Sequence, residues 1–177
     1  MLNYSSFLAR LKPIRLLLLD VDGVMTDGKY YLTGTGEETK GFCSLDGHGI
    51  RMLQREGIQV GLLSGRISDT VVCYAKGLDI GIVVQGSYVK ETDYKKILSD
   101  HGLTDAEVAY MGDDVVDLPV LDRCGFSIAT PGAEAWIRRR VCYVTRRQSG
   151  AGAVREVADL LLKAQEKWDA EMRRYVK

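Results

Sequence analysis

Residues 16–28 read LLLLDVDGVMTDG, and this stretch decides the fold. Four consecutive leucines broken at once by Asp20, Asp22 and Gly23 describe a short strand, apolar on both faces, that runs straight into a polar turn. The same pattern recurs twice further on. Residues 58–63 (IQVGLL) run into Ser64-Gly65-Arg66, and residues 108–111 (VAYM) run into Gly112-Asp113-Asp114. Between the apolar runs lie helical patterns, expected over about 49–55, 68–76 and 91–101, with a helical turn over 118–123 opened by Pro119. Further strands are expected at 80–84, 126–129 and 141–144, and a last helix after Gly150–Gly152. Alternation of this kind predicts a Rossmann-like α/β fold, a parallel sheet covered by helices on both faces. Residues 29–42 interrupt it as a hairpin around Gly34-Thr35-Gly36.

The chain has 177 residues, the length of one domain, and residues 1–177 are read as a single unit. Residues 1–13 form an amphipathic lead-in, and residues 163–177 a charged helical tail expected to extend beyond the body. Lys+Arg and Asp+Glu both number 24, so net charge gives no pull toward nucleic acid or anionic membrane. The arginines at 138–140 and 146–147 are read as solvated faces or subunit contacts. No segment approaches the ~20 apolar residues a bilayer span needs, and no signal peptide is legible. The four cysteines, Cys43, Cys73, Cys124 and Cys142, have no CxxC spacing, which suits free thiols in a cytoplasmic protein.

In an open parallel sheet, ligands bind outside the carboxyl ends of the strands. Asp20, Asp22, Ser64, Arg66, Asp113 and Asp114 are therefore expected to converge, with Asp117 one turn beyond. Five carboxylates in one place repel. At ~4 Å and an effective dielectric near 20, each like-charge pair costs about 4 kcal/mol. Hard oxygen donors of this kind suit Mg²⁺, which retains several waters and accepts phosphate as a co-ligand. With Arg66 and Lys90 as cations, the set is equipped for phosphoryl transfer.

Four segments in order resemble the haloacid dehalogenase (HAD) superfamily of phosphatases: Asp20-Val21-Asp22-Gly23-Val24-Met25-Thr26, then Ser64, Lys90 and Gly112-Asp113-Asp114 with Asp117. The stretches GEE (36–38), LDGHGIRML (45–53), QGSYVK (85–90) and GAGAVREV (150–157) narrow the resemblance to the phosphatases of 3-deoxy-D-manno-octulosonate 8-phosphate (KDO 8-phosphate), over nearly the whole chain from about residue 14 to 165. That family works in the cytoplasm of bacteria that make lipopolysaccharide. The resemblance implies that Asp20 attacks phosphorus and that Asp22 protonates the leaving alkoxide, then activates water. It implies Mg²⁺ on the Asp20 side chain, the Asp22 carbonyl and the Asp113 side chain, with Asp114 and Asp117 behind them. Ser64 and Lys90 would hold phosphoryl oxygens. Substrate contacts would come from Cys43, Ser44, Leu45, Asp46, Gly47, Arg51 and Arg66. Cys43 stands where the family more usually has Asn, Ser or His, and Tyr74 where an arginine is expected. A phosphatase for a related 2-keto-3-deoxy sugar acid, for example a nine-carbon 9-phosphate, is the alternative within enzymes. A non-catalytic assembly module is the alternative outside them.

The resemblance also implies a homotetramer. The intervals from Asp22 to Ser64 and from Lys90 to Asp113 are consumed by a hairpin, two helices and two strands, which leaves no room for a cap domain. The hairpin carries Tyr30, Tyr31, Leu32 and Phe42, an apolar surface that invites burial. A neighbouring subunit would then close the site, through the region of residues 150–152 or the charged tail.

Overall fold

A computed structural model describes residues 4–176. Six parallel strands form the central sheet: β1 (Leu16–Leu19), β4 (Gln59–Leu63), β5 (Ile82–Val84), β6 (Val108–Met111), β7 (Phe126–Ala129) and β8 (Tyr143–Val144). The numbering leaves β2 (Tyr31–Leu32) and β3 (Glu38–Thr39) for a separate antiparallel hairpin. The helices are α1 (Tyr4–Leu11), α2 (Ser44–Arg55), α3 (Asp69–Gly77), α4 (Lys90–His101), α5 (Leu118–Leu121), α6 (Ala135–Arg138), α7 (Ala153–Ala164) and α8 (Trp168–Met172).

Strand order across the sheet is β5-β4-β1-β6-β7-β8. The chain leaves β1 to build one side, then returns to place β6 against its other edge. The order reverses at β1, so a crevice opens at its carboxyl end, where Asp20 stands. All four leucines of β1 are fully buried, each contributing roughly 1.5–3 kcal/mol by leaving water. Leu17 and Leu19 face one core layer, with α1, α2 and α7, while Leu16 and Leu18 face the other, with α4 and α5. The expected α/β layering is what the chain adopts.

Several expected boundaries move. Helix α2 begins at Ser44, well before residue 49. Gly47 and Gly49 hid its first turns, because glycine weakens a helix by ~1 kcal/mol. Packing overrides that: a Cβ at Gly49 would lie 3.0–3.2 Å from Arg155 and Ala158, so glycine is what lets α2 and α7 touch. The hairpin strands shrink to two residues each, since a lone two-stranded ribbon is marginal. Its flanking residues Tyr30, Lys40 and Phe42 make other contacts. The tail does not extend from the body. Helix α8 folds back and buries Glu171 against Arg55, Arg174 and Tyr175. The short α6 had no periodicity long enough to read.

Candidate active site

The turn after β1 is fastened from inside. Met25 and Thr26 donate their backbone N–H groups to the Val21 carbonyl at 2.9 and 3.1 Å, and Thr130 Oγ1 at the end of β7 donates to the Gly23 carbonyl at 3.2 Å. Gly23 has φ +89°, and a Cβ there would fall 2.0 Å from Asp113 Oδ2. Only glycine permits both that backbone and the approach of the Asp113 carboxylate. On the other flank, Ser64 closes β4 by donating its N–H to the Val84 carbonyl at 2.9 Å.

Lys90 opens α4, where the helix dipole disfavours a cation. Its ammonium is nevertheless buried, donating to Asp20 Oδ1 at 2.5 Å, Asp117 Oδ1 at 2.6 Å and the Tyr110 hydroxyl at 3.2 Å. Burial alone would lower Lys90, but Asp20 and Asp117 more than offset it and hold the amine charged. Burial pushes Asp20 up, against the pull of Lys90. Burial, then Asp20, Asp117 and Asp114, pushes Asp113 up to about 7.

These side chains line one hollow of about 250 Å³: Asp20, Asp22, Ser64, Arg66, Lys90, Asp113, Asp114 and Asp117. A larger hollow of about 400 Å³, bordered by Gln54, Ile58, Asp79 and His101, holds no comparable cluster. Carboxylate oxygens of Asp20, Asp113 and Asp117 lie within 4.8 Å of one another. Their chemistry fits a hard divalent cation, and the elevation of Asp113 is the cost such an ion would relieve. Asp117 is the least suited of the three to touch it. Oδ1 accepts from Lys90 and from Tyr110 (2.6 Å), and Oδ2 accepts from the backbone N–H groups of Asp113 (2.9 Å) and Asp114 (3.1 Å). Its four lone-pair positions are committed. Asp114 accepts from the Val115 N–H at 2.7 Å and caps the short 3₁₀ turn over Val115–Asp117.

No family model matches the chain. The KDO 8-phosphate phosphatase KdsC of Escherichia coli strain K12 is 42% identical over 165 residues, which span 93% of this chain and 88% of that protein. The chain belongs to the KDO 8-phosphate phosphatase family. The crystal structure of the KDO 8-phosphate phosphatase from Yersinia pestis superposes with a TM-score of 0.91 at 41% identity, covering 92% of this chain and 88% of that one. The Moraxella catarrhalis phosphatase, solved with a magnesium ion, a phosphate ion and KDO, gives 0.95 at 35% identity over 98% and 99% of the two chains.

The substrate contacts expected from the KDO 8-phosphate phosphatase family divide. Ser44 and Leu45 are exposed and Cys43 half-buried at the start of α2. Asp46 and Gly47 turn inward. The Asp46 carboxylate is 1% exposed and accepts from the N–H groups of Arg155 (2.7 Å) and Gly152 (3.3 Å), so it caps α7 and is not offered to a ligand. Arg51 also leaves the site. It pairs with Asp79 and donates to the Gly77 carbonyl at 2.7 Å, where α3 ends and the chain turns toward the amino end of β5. Arg66 borders the hollow, paired with Glu38 at 2.8 Å and 3.7 Å from Asp22. Tyr74 stacks on Phe42 with ring centroids 3.9 Å apart, its hydroxyl beside Gly47, and burial pushes it up to about 12.

Sequence reasoning missed Lys40, Glu38 and Tyr110. Lys40 donates to both oxygens of Asp22, at 2.6 and 2.8 Å. Glu38 accepts from Ser68 Oγ at 2.6 Å as well as from Arg66. The GEE stretch pointed at this region, but nothing in the hairpin pattern told which residues fold back onto Asp22.

Proposed function

We propose that this chain is a Mg²⁺-dependent phosphoric monoester hydrolase that converts KDO 8-phosphate to KDO and inorganic phosphate through an aspartyl-phosphate on Asp20. The convergence of Asp20, Asp22, Ser64, Lys90 and Asp113 in one hollow carries the reading, and membership of the family supplies the substrate.

Asp20 would hold Mg²⁺ together with the Asp22 carbonyl and Asp113, and the ion would offset the charge of the carboxylates and the phosphoryl group. Asp20 attacks phosphorus, its carboxylate oriented by Lys90. Asp22, on the same turn, gives a proton to the leaving sugar oxygen and takes one from the water that hydrolyses the intermediate. Ser64 Oγ and Lys90 hold the transferring oxygens, while Asp117 fixes Lys90 from behind. Arg66, the half-buried Cys43 and the exposed Ser44 and Leu45 meet the sugar acid.

The whole chain acts as one catalytic unit, in the cytoplasm, at a step of lipopolysaccharide precursor synthesis. It assembles as a homotetramer in which a neighbour covers the hollow. The support is apolar surface at the mouth and on the hairpin: Tyr31 and Leu32 are 63% and 62% exposed, and Ile67, Tyr88, Val89 and Val116 are exposed beside site residues. Among the described residues, no helix is long and apolar enough to cross a membrane.

The test is phosphate release from a panel of eight- and nine-carbon sugar-acid phosphates, with Mg²⁺ and with chelator. KDO 8-phosphate should give the highest kcat/KM, Mg²⁺ should be required, and Asp20→Asn should abolish turnover with the fold intact. Preference for a nine-carbon acid would move the substrate assignment, and turnover by Asp20→Asn would remove the nucleophile.

A further inference from the structure

The hairpin reaches the chemistry through one side chain. Lys40 follows β3 and is 7% exposed, with its side chain wholly covered. A buried ammonium is costly unless paired. This one spends two hydrogen bonds on Asp22, one to each oxygen, and lies 3.7 Å from Glu38. Glu38 is itself fixed by Ser68 Oγ and Arg66 Nη2, and the Arg66 guanidinium lies 4.0 Å from the Tyr30 ring centroid. The chain Tyr30–Arg66–Glu38–Lys40 therefore ends on the carboxylate of Asp22. A carboxylate on a turn has free rotation about its side chain, and general acid–base transfer needs it within hydrogen-bond reach of one particular oxygen. Two donors on one side of Asp22 fix which lone pairs remain for that oxygen.

We infer that Lys40 is a positioning residue that sets the orientation of Asp22 for proton transfer to the leaving sugar oxygen, which makes the hairpin part of the catalytic apparatus of its own subunit. The inference rests on the phosphatase reading and on Asp22 as acid. Its consequence depends on the leaving group. An alkoxide leaving a sugar phosphate needs the proton, and a nitrophenolate does not. The alcohol departs before the intermediate hydrolyses, so kcat/KM reports only the steps through its loss.

The experiment compares kcat/KM for KDO 8-phosphate and for p-nitrophenyl phosphate in wild type, Lys40→Met, Lys40→Arg and Asp22→Asn, all with Mg²⁺. Lys40→Met should lose on the order of 10²-fold on the sugar phosphate, the scale of a misplaced catalytic group, and less than about fivefold on the aryl ester by the same leaving-group argument. Lys40→Arg, which keeps the charge and donors, should recover most of the sugar-phosphate rate. Asp22→Asn should show the same selectivity with a larger loss, about 10²–10⁴-fold. If Lys40→Met does not fold, Lys40→Gln, which keeps a donor without the charge, carries the comparison. Equal losses on both esters in the Lys40 variants, or none, would overturn the positioning role while Asp22→Asn still shows selectivity. Equal losses in Asp22→Asn would instead overturn the assignment of Asp22.

Discussion

Replacing Asp46 separates a fold-bearing carboxylate from a substrate-reading one. In Asp46→Ala, the backbone N–H groups of Arg155 and Gly152 lose their acceptor. Both lie at the start of α7, under a residue 1% exposed to water, so water cannot readily replace it. A buried donor left without a partner costs about 1–3 kcal/mol, which gives a gross loss of roughly 2–6 kcal/mol for two. Part is returned, because burial pushes the Asp46 carboxyl up and its charged form is costly where it sits. The expected net loss is about 1–4 kcal/mol. For a chain of this size that lowers Tm by roughly 2–16 °C. Asp46→Asn keeps one acceptor, for the Arg155 N–H, but turns its NH₂ group toward the Gly152 N–H that the second carboxylate oxygen now serves, and should cost about 1–3 kcal/mol. Urea unfolding at constant m measures both, with KM for the sugar phosphate determined alongside. The Asn variant should hold KM within about twofold, because on this geometry the carboxylate meets no ligand. Asp46→Ala within about 0.5 kcal/mol of wild type, combined with a KM raised tenfold or more in Asp46→Asn, would refute the capping role and restore Asp46 to the substrate.

Two further outcomes follow from the site and from the hairpin. Asp113 is held at about 7 in the folded protein without metal, far above the ordinary carboxylate range. Its contribution to stability is therefore present below about pH 4 and lost as pH rises through 7. Metal-free protein should soften over that range, and added Mg²⁺ should raise Tm more at pH 8 than at pH 6, because binding needs the deprotonated carboxylate. Scanning calorimetry checks this, and an Mg²⁺ stabilisation that does not grow with pH would count against Asp113 as a ligand. If the proposed tetramer forms through the hairpin, deleting residues 30–41 should leave monomers or dimers with sharply reduced turnover of the sugar phosphate. Sedimentation showing a fully active wild-type monomer would remove the assembly proposal.

The succession of strands along the chain and the carboxyl-end location of the site were legible because both follow from local pattern, while the order of strands across the sheet was not. Four leucines before Asp20, and apolar runs before Ser64 and Gly112, are buried-strand signals that need no partner to be read. Identity of the polar set was legible for the same reason: each residue sits at a strand end or opens a helix. Tertiary structure decided everything that depends on which distant segments meet. Asp46 looks in sequence like a substrate-reading carboxylate, yet it is drawn to α7 more than 100 positions away. The partners that saturate Asp117, namely Lys90, Tyr110 and two backbone amides, are likewise visible only in the fold. Arg51 faces Asp79 because its place late in α2 puts it beside the turn that precedes β5, away from the carboxyl ends of the strands. Helix α2 itself was partly hidden, since glycine propensity argues against a helix until α7 is there to fill the space. Lys40 shows the limit most clearly. A hairpin lysine carries no signal of burial, because alternation fixes a face only relative to a sheet, and this ribbon pairs with none. Its direction was set by the carboxylate of Asp22, a charge 18 residues away that only the fold brings within 2.6 Å.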